Sequence, residues 1–439
     1  MKILHLPFTY YPDAVGGTEV YVNALAEALR LLGIESLIAA PSETSRLYEH
    51  QGLKVYRFAL SAVDDPSGIY GAGDLQGAAA VAHILDTETP DVVHMHALTR
   101  GVSLLVLREA KQRKIPVVFT YHTPTVSCPR GTLLYWGHQA CDGRLETHRC
   151  TACKLQSLGL PPTAAHMLSY VPTIVGNTIA SMGQSGGIWT ALRMSQLIAQ
   201  RQAVVQAVWE EADVILALNE WTRNLLLSNG VVDEKIHVVR HGLGEIASNL
   251  PMAIASPQAG EPLRLVFLGR FSPEKGLDLV IDAIRLMPEA NITLDAYGIR
   301  QEGSETLASH LADQAAQDPR IRLLPSIPQS EVIARLTQYH VLVIPSRWLE
   351  TGPLVLLEAF AAGIPVLGSN LGGIAEWVDH EVNGLLVDTD SVLAWREILK
   401  VLCKHPEVLE KFKRNIKPPP NMVSVGQKML ELYEYSLQI

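Results

Sequence analysis

Between Val341 and Val387 the chain reads VLVIPSRWLETGPLVLLEAFAAGIPVLGSNLGGIAEWVDHEVNGLLV, and its punctuation permits few folds. Val341 to Ile344 is a short apolar run stopped at Pro345-Ser346. A loop carrying Arg347, Trp348 and Glu350 follows. Pro353 then opens a helix, at a position where a missing N–H has no partner to lose. Leu354, Leu357 and Ala361 recur at helical spacing, which predicts one buried face and leaves Glu358 over. Gly363 and Pro365 end that helix, and Val366-Leu367 begins the next strand.

A strand-loop-helix-strand unit puts its loop at the carboxyl end of a parallel strand, where open α/β sheets bind ligands. The helix amino end adds unpaired N–H groups and a positive dipole, which favour phosphate. Glu350 and Glu358 are poor phosphate ligands, but carboxylates accept hydrogen bonds well from the vicinal hydroxyls of a ribose and a hexose. The combination predicts a nucleotide-sugar site; the plain alternative is a βαβ unit with surface glutamates. A second motif lies upstream. Leu263 to Gly269 reads as a strand, and Arg270-Phe271-Ser272-Pro273-Glu274-Lys275-Gly276 follows it and opens a helix. Two cations five residues apart there can neutralise a diphosphate.

Together these residues resemble the donor-site signature of the retaining GT-B glycosyltransferases of family GT4. The resemblance is carried by Glu350-x7-Glu358, Ala361-Ala362-Gly363-Ile364-Pro365-Val366, Gly372-Gly373-Ile374-Ala375-Glu376 and Gly269-Arg270-x4-Lys275-Gly276. It implies an α/β chain of GT-B fold, with two Rossmann-like domains facing across a cleft. The implied reaction moves a hexosyl group from a nucleotide-diphosphate sugar, UDP-glucose or a related UDP-sugar, to a sugar hydroxyl in polysaccharide or glycoconjugate synthesis. Retention and independence from metal are part of what it implies, and no cofactor is required. It assigns the diphosphate to Arg270 and Lys275, the donor-sugar hydroxyls to Glu350, and the ribose to Glu358. Thr351, Gly352, Leu354 and Val355 complete the donor contacts, and backbone near Ile327 holds the base. His122 orients the sugar, and Gly16 and Gly17 lie between donor and acceptor. The leaving phosphate takes the acceptor proton. In one departure, the family has Pro-Phe-Gly where this chain has Thr351-Gly352-Pro353, so no N–H is available at Pro353. A GT-B nucleotide-sugar 2-epimerase and a degenerate transferase serving as a scaffold are the competing readings.

With 439 residues the chain holds two or three domains, and 48% hydrophobic with 18% charged residues is the balance of a globular enzyme. A formal charge of −9 gives nucleic-acid binding no support. No apolar run approaches a bilayer span, and Met1 to His5 begins a strand directly. The expectation is a cytoplasmic protein, with weak peripheral association at the inner membrane face if its acceptor sugar is lipid-linked. The expected domains are an acceptor-side domain over 1–241 with a Cys-rich insertion at about 124–160 and a linker over 242–262. A donor-binding domain over 263–416 and a last helix over 417–439, crossing back to the first domain, complete the division.

The first half alternates strand and helix signals, as a mostly parallel sheet requires. Strands are expected at Lys2 to Pro7, Glu35 to Ala40, Val55 to Ala59, Asp91 to His96, Pro116 to Tyr121, Ala212 to Leu218 and His237 to Arg240. After Gly16-Gly17, a helix with Val20, Ala24, Leu25 and Ala28 on one face is expected. His94 and His96 share a strand face; such a pair can ligate metal, but two imidazoles at a strand end are the plainer reading. His122 follows a strand directly, where it faces a ligand. Cys128, Cys141, Cys150 and Cys153 cluster in a stretch of little apolar periodicity. The closing C-x-x-C suits a tetrahedral structural zinc; free thiols, a disulfide or an iron–sulfur cluster are the alternatives. Leu160 to Glu211 predicts helices packed on the acceptor side, with a membrane-surface role as the minor reading. Asn219 is placed as a helix cap, and Asp388-Thr389-Asp390 is read as another cap rather than a metal site.

Overall fold

The computed structural model describes every residue except 14–15, 63–66, 185, 245–251, 259 and 300–304, with only the backbone of Ser67 and Glu305. Part of the expected linker, 245–251 and 259, therefore lies outside the described residues, as do Ala14 and Val15 of the glycine-pair loop. The chain divides into two units, Met1–Gly244 with Met422–Ile439, and Glu245–Asn421.

In the first unit the strands are β1 (Lys2–Leu6), β2 (Glu35–Ser42), β3 (Arg46–His50), β4 (Leu53–Ala59), β5 (Val92–Met95), β6 (Val117–Tyr121), β7 (Leu134–Tyr135), β8 (Gln139–Ala140), β9 (Val214–Ala217) and β10 (Ile236–Val238). Eight of them form one sheet in the order β10-β9-β6-β5-β1-β2-β4-β3. All neighbours are parallel except β3 and β4. Every residue of β5, β6 and β9 is buried, as expected of parallel strands covered by helices on both faces. β3 is absent from the expected strands. Its sequence, RLYEH, offers no apolar run, and it exists because Gln51 and Gly52, both at positive φ, make the two-residue turn that folds it onto β4.

The helix Gly17–Leu31 buries Tyr21, Val22, Leu25, Ala28 and Leu29. Its buried stripe is thus rotated by about one residue from the expected one, because Tyr21, not Val20, turns inward. Met422–Ser436 packs against this helix and buries Val425, Met429 and Tyr433 in the same core. The insertion is more regular than expected. It holds the β7–β8 hairpin and a helix, Thr147–Ser157, followed by helices Pro162–Ser169, Thr173–Ser181 and Gly187–Glu211. No helix among the described residues is long and apolar enough to cross a membrane.

The second unit has β11 (Leu263–Leu268), β12 (Ile292–Gly298), β13 (Ile321–Pro325), β14 (Val341–Ile344), β15 (Val366–Ser369) and β16 (Gly384–Val387). They form an all-parallel sheet in the order β13-β12-β11-β14-β15-β16. The order reverses at β11, so the loops after β11 and β14 leave adjacent strands at the topological switch point.

Two expectations are corrected here. The helix after Pro353 runs Leu354–Ala361 with Pro353 just outside it, and Leu356 to Phe360 are all buried. The helix has no solvent face at Glu358, because it sits between strands β14 and β15 and the rest of the unit. Asp388 to Asp390 do not cap the next helix. Ser391 does, accepting from the Ala394 N–H at 3.2 Å, while Asp390 is drawn to Arg347. Asn219 caps as expected, accepting from the Thr222 N–H at 2.7 Å.

Candidate functional site

The loops after β11 and β14 lie against each other, and glycine makes that possible. Gly276 stands at φ +67, and a Cβ there would sit 2.0 Å from the Pro345 carbonyl. Arg347 clasps the two loops. Its backbone N–H donates to the Glu274 carbonyl at 2.8 Å, and its guanidinium donates to the Pro273 carbonyl at 2.9 Å. The same fork binds both oxygens of Asp278 at 2.7 and 2.6 Å and one of Asp390 at 2.7 Å. A planar five-donor group is the side chain suited to this arrangement.

Clasping brings Lys275 onto Glu350. Lys275 Nζ donates to Glu350 Oε1 at 2.6 Å, Ser346 Oγ donates to the same oxygen at 2.8 Å, and the ammonium lies 5.2 Å from the Trp348 ring centre. Burial resists the charge on Glu350, but Lys275 and the hydroxyl of Ser346 outweigh it and hold the carboxyl below its usual range. The Glu350 backbone is fixed as well. The Gly373 N–H donates to its carbonyl at 2.7 Å, and Gly372, at φ +53, passes so close that a Cβ would meet that carbonyl at 2.9 Å. The Gly372-Gly373 pair thus serves the carboxylate loop. Arg270 is more open and lies 4.0 Å from Glu274.

Glu358 lies in a different environment. It is 5% exposed, and burial pushes its carboxyl up to about 7, against the pull of the Gln329 side-chain amide that donates to it. Gln329 follows Ile327-Pro328 after β13, so the segment expected to hold a base also reaches the carboxylate expected to hold a ribose. Thr351 is buried beside Glu350, and Gly352, Leu354 and Val355 are half-buried at the helix start.

In the first unit, His122 directly follows β6 and belongs to a chain of buried imidazoles. His122 Nε2 is 3.0 Å from His96 Nδ1, and His96 Nε2 is 3.1 Å from His5 Nδ1. Burial holds all three far below the usual histidine range, so they are neutral, and each link carries one proton. His5 Nε2 is buried with no hydrogen-bond partner. An orphaned lone pair there is better tolerated than an orphaned N–H, which puts the His5 proton on Nδ1. His5 then donates to His96, His96 Nδ1 donates to His122, and the His122 proton is left on Nδ1. His5, His94 and His96 also bring ligand-type nitrogens together, but His94 is spent on Tyr433 and Thr120, each at 2.7 Å. Tyr21 connects the glycine-pair loop to this group, with its ring 5.1 Å from His122 and 4.8 Å from His241. Gly16 and Gly17 are exposed at the start of that helix, where the Gly16 N–H donates to Glu19 at 2.9 Å.

The family described as glycosyl transferase 4-like domain matches residues 16–242, more than half of the chain, and glycosyl transferases group 1 matches residues 254–418. The chain belongs to the glycosyl transferase 4-like family. It is 28% identical over 201 residues to the amylovoran biosynthesis glycosyltransferase AmsK of Erwinia amylovora, covering 44% of this chain and 48% of that one. It is 29% identical over 222 residues to the D-inositol 3-phosphate glycosyltransferase of Corynebacterium glutamicum, covering 47% and 53%. The chain thus spans about half the length of these curated relatives. Among solved structures it is similar to HepE of Anabaena in complex with UDP and glucose, at TM-score 0.63 and 16% identity over 99% of this chain and 100% of that one. Sucrose-phosphate synthase from Thermosynechococcus elongatus gives 0.67 and 17% over 99% and 98%. These likenesses carry the fold, GT-B, with two Rossmann-like domains.

For this glycosyl transferase 4-like chain, sequence reasoning named Lys275, Glu350 and Glu358 but not the residues that bond and clasp them. Arg347 and Gln329 were readable only as polar loop residues, because their partners lie 43 to 74 and 29 positions away. His5 and His96 were missed as partners of His122 for the same reason. His5 and His94 are register partners on adjacent strands, a pairing no local spacing encodes.

Proposed function

We propose that this protein is a retaining hexosyltransferase that uses UDP-glucose or a related UDP-sugar and a sugar acceptor in polysaccharide or glycoconjugate synthesis. The observation that carries the reading is the Lys275–Glu350 pair, set in a strand-end loop beside the amino end of Leu354–Ala361. Arg270 and Lys275 take the diphosphate, and their fixed charge stabilises the negative charge that builds on it as the glycosidic bond breaks. Glu350 keeps one oxygen on Lys275 and offers the other to donor-sugar hydroxyls. Glu358 and Gln329 take the ribose, with the base against backbone near Ile327. The family resemblance gives His122 the role of orienting the donor sugar. The leaving phosphate accepts the acceptor's proton, and the reaction needs no metal. HepE, crystallised with UDP and glucose, supports the choice of a UDP-sugar.

For the acceptor we assign a cleft of about 750 Å³ in the first unit, lined by Phe8, Thr9, Pro41, Arg46, Arg57 and Arg100 among others. A lipid-linked sugar fits a further feature. From Leu155 to Leu192 no residue is charged, yet Met167, Tyr170, Ile174, Met182, Ile188 and Trp189 are all exposed. Such a surface, with aromatic rings among the apolar side chains, suits the membrane interface of a cytoplasmic leaflet.

Calorimetry with UDP, GDP, ADP and their sugars is the test, followed by NMR of the product's anomeric configuration. Saturable binding of UDP and its sugar, lost in Arg270→Ala, is expected. Binding of none of these overturns the transferase reading.

A further inference from the structure

We propose that Cys128, Cys141, Cys150 and Cys153 form a structural zinc site that fixes the loop leaving His122. The inference stands on how three separate segments are held around one helix. Cys150 and Cys153 lie one turn apart on Thr147–Ser157. Cys141 follows β8; its N–H donates to the Leu133 carbonyl at 2.9 Å, and its sulfur lies 3.5 Å from Arg149 of that same helix. Cys153 Sγ reaches the Leu134 carbonyl at 3.7 Å, so the strand that pairs with the Cys141 segment also touches the C-x-x-C. Cys128 is brought in by Arg130, two residues on, which donates to the Cys153 carbonyl at 3.4 Å and to Gln156 at 2.7 Å.

All four thiols are free. Their segments meet at one helix: Cys150 and Cys153 lie on it, the Cys141 sulfur touches its Arg149, and the Cys128 turn is tied to it through Arg130. Zinc binds cysteine as the thiolate and displaces the thiol proton. A four-thiolate zinc carries a net charge of −2, and two cations stand ready for it. Arg149 lies at Cys141, and Lys154 directly follows Cys153 on the helix. No three of the sulfurs lie within 4.8 Å of one another, whereas tetrahedral ligation sets them about 3.8 Å apart. Binding therefore draws the hairpin and the Cys128 turn inward onto the helix.

The location gives the ion its role. Tyr121 ends β6 and bonds Ser127 at 2.8 Å, next to Cys128, while the helix with the C-x-x-C packs through Leu155 on Met194 and Ile198. The hairpin's own strands are two residues each and contribute little order. Four protein ligands leave no open position, so the site is structural and takes no part in the transfer.

The experiment uses the full chain, purified under reducing conditions without chelator. Metal analysis is expected to give one zinc per chain, and cobalt substitution the thiolate charge-transfer and ligand-field bands of a tetrahedral site. Cys150→Ser with Cys153→Ser should cut zinc more than tenfold, and Cys403→Ser should not change it. Because the double variant could misfold, the unsubstituted chain is also titrated with an organomercurial. Zinc release in step with four thiols supports the site. Zinc below one-tenth per chain, an iron–sulfur chromophore, or a Cys150–Cys153 disulfide in the reduced preparation each overturns it.

Discussion

Lys275 Nζ lies 2.6 Å from Glu350 Oε1, across 75 residues of sequence, and each group is buried enough that neither is well solvated alone. Removing the ammonium leaves a buried carboxylate without its counter-charge. Lys275→Met should therefore lower kcat/KM by about 100- to 1000-fold, the usual loss for one preorganised charge, and lower Tm as well. The double variant Lys275→Met with Glu350→Gln should recover most of the Tm and none of the activity. A double-mutant cycle in Tm and kcat/KM checks this; failure of the double variant to recover would show that the pair does not act as a unit. The depressed Glu350 carboxyl also sets a sign with pH. Its contribution is present above the normal carboxylate range and is lost as pH falls through the native value, so Tm should drop on acidification more in the parent than in Glu350→Gln.

Glu358 behaves oppositely. Its native value of about 7 lies above that of the unfolded chain, so the folded state holds the proton more tightly. The stability it contributes is complete below the unfolded value and is lost as pH rises through 7. With Glu358 on the ribose as proposed, nucleotide binding runs the other way, because only the ionised carboxylate accepts both ribose hydroxyls. UDP-glucose, whose phosphates do not titrate here, should bind more tightly at pH 8 than at pH 6, and Glu358→Gln should flatten that dependence. Calorimetry at four pH values decides it.

Arg347 touches no proposed ligand, yet it joins the loops that present Lys275 and Glu350. Arg347→Ala should weaken UDP binding about 10- to 100-fold, and Arg347→Lys should recover little of it, because a point charge cannot bridge Asp278 and Asp390 as a fork does. Recovery to parental affinity in Arg347→Lys would refute the clasp.

The His5–His96–His122 chain fixes a tautomer. Nitrogen-15 shifts of the imidazoles should show His122 protonated on Nδ1 and still neutral well below the usual histidine range. His96→Phe should shift His122 toward a tautomer mixture and reduce kcat about tenfold with little change in KM for the donor. An unchanged His122 spectrum in that variant would remove the chain's role.

What the sequence determined by itself was local. Short apolar strands, the helices that follow Gly16-Gly17 and Pro353, and the charged motifs at Arg270 and Glu350 follow from spacing and from glycine and proline, which act within a few residues. From these the α/β class and the strand-end position of Glu350 were legible. What only the tertiary structure decided were the long-range pairings. Sequence left Glu358 as a surplus helix carboxylate, whereas packing of its helix against β14 and β15 buried it and moved its proton affinity. Sequence read Asp390 as a cap, whereas Arg347 claimed it. β3 exists only because a two-residue turn folds a polar segment onto β4. For Glu358 and Asp390 the deciding energy comes from desolvation or from a partner tens of residues away, and neither is written in the spacing of the residues concerned.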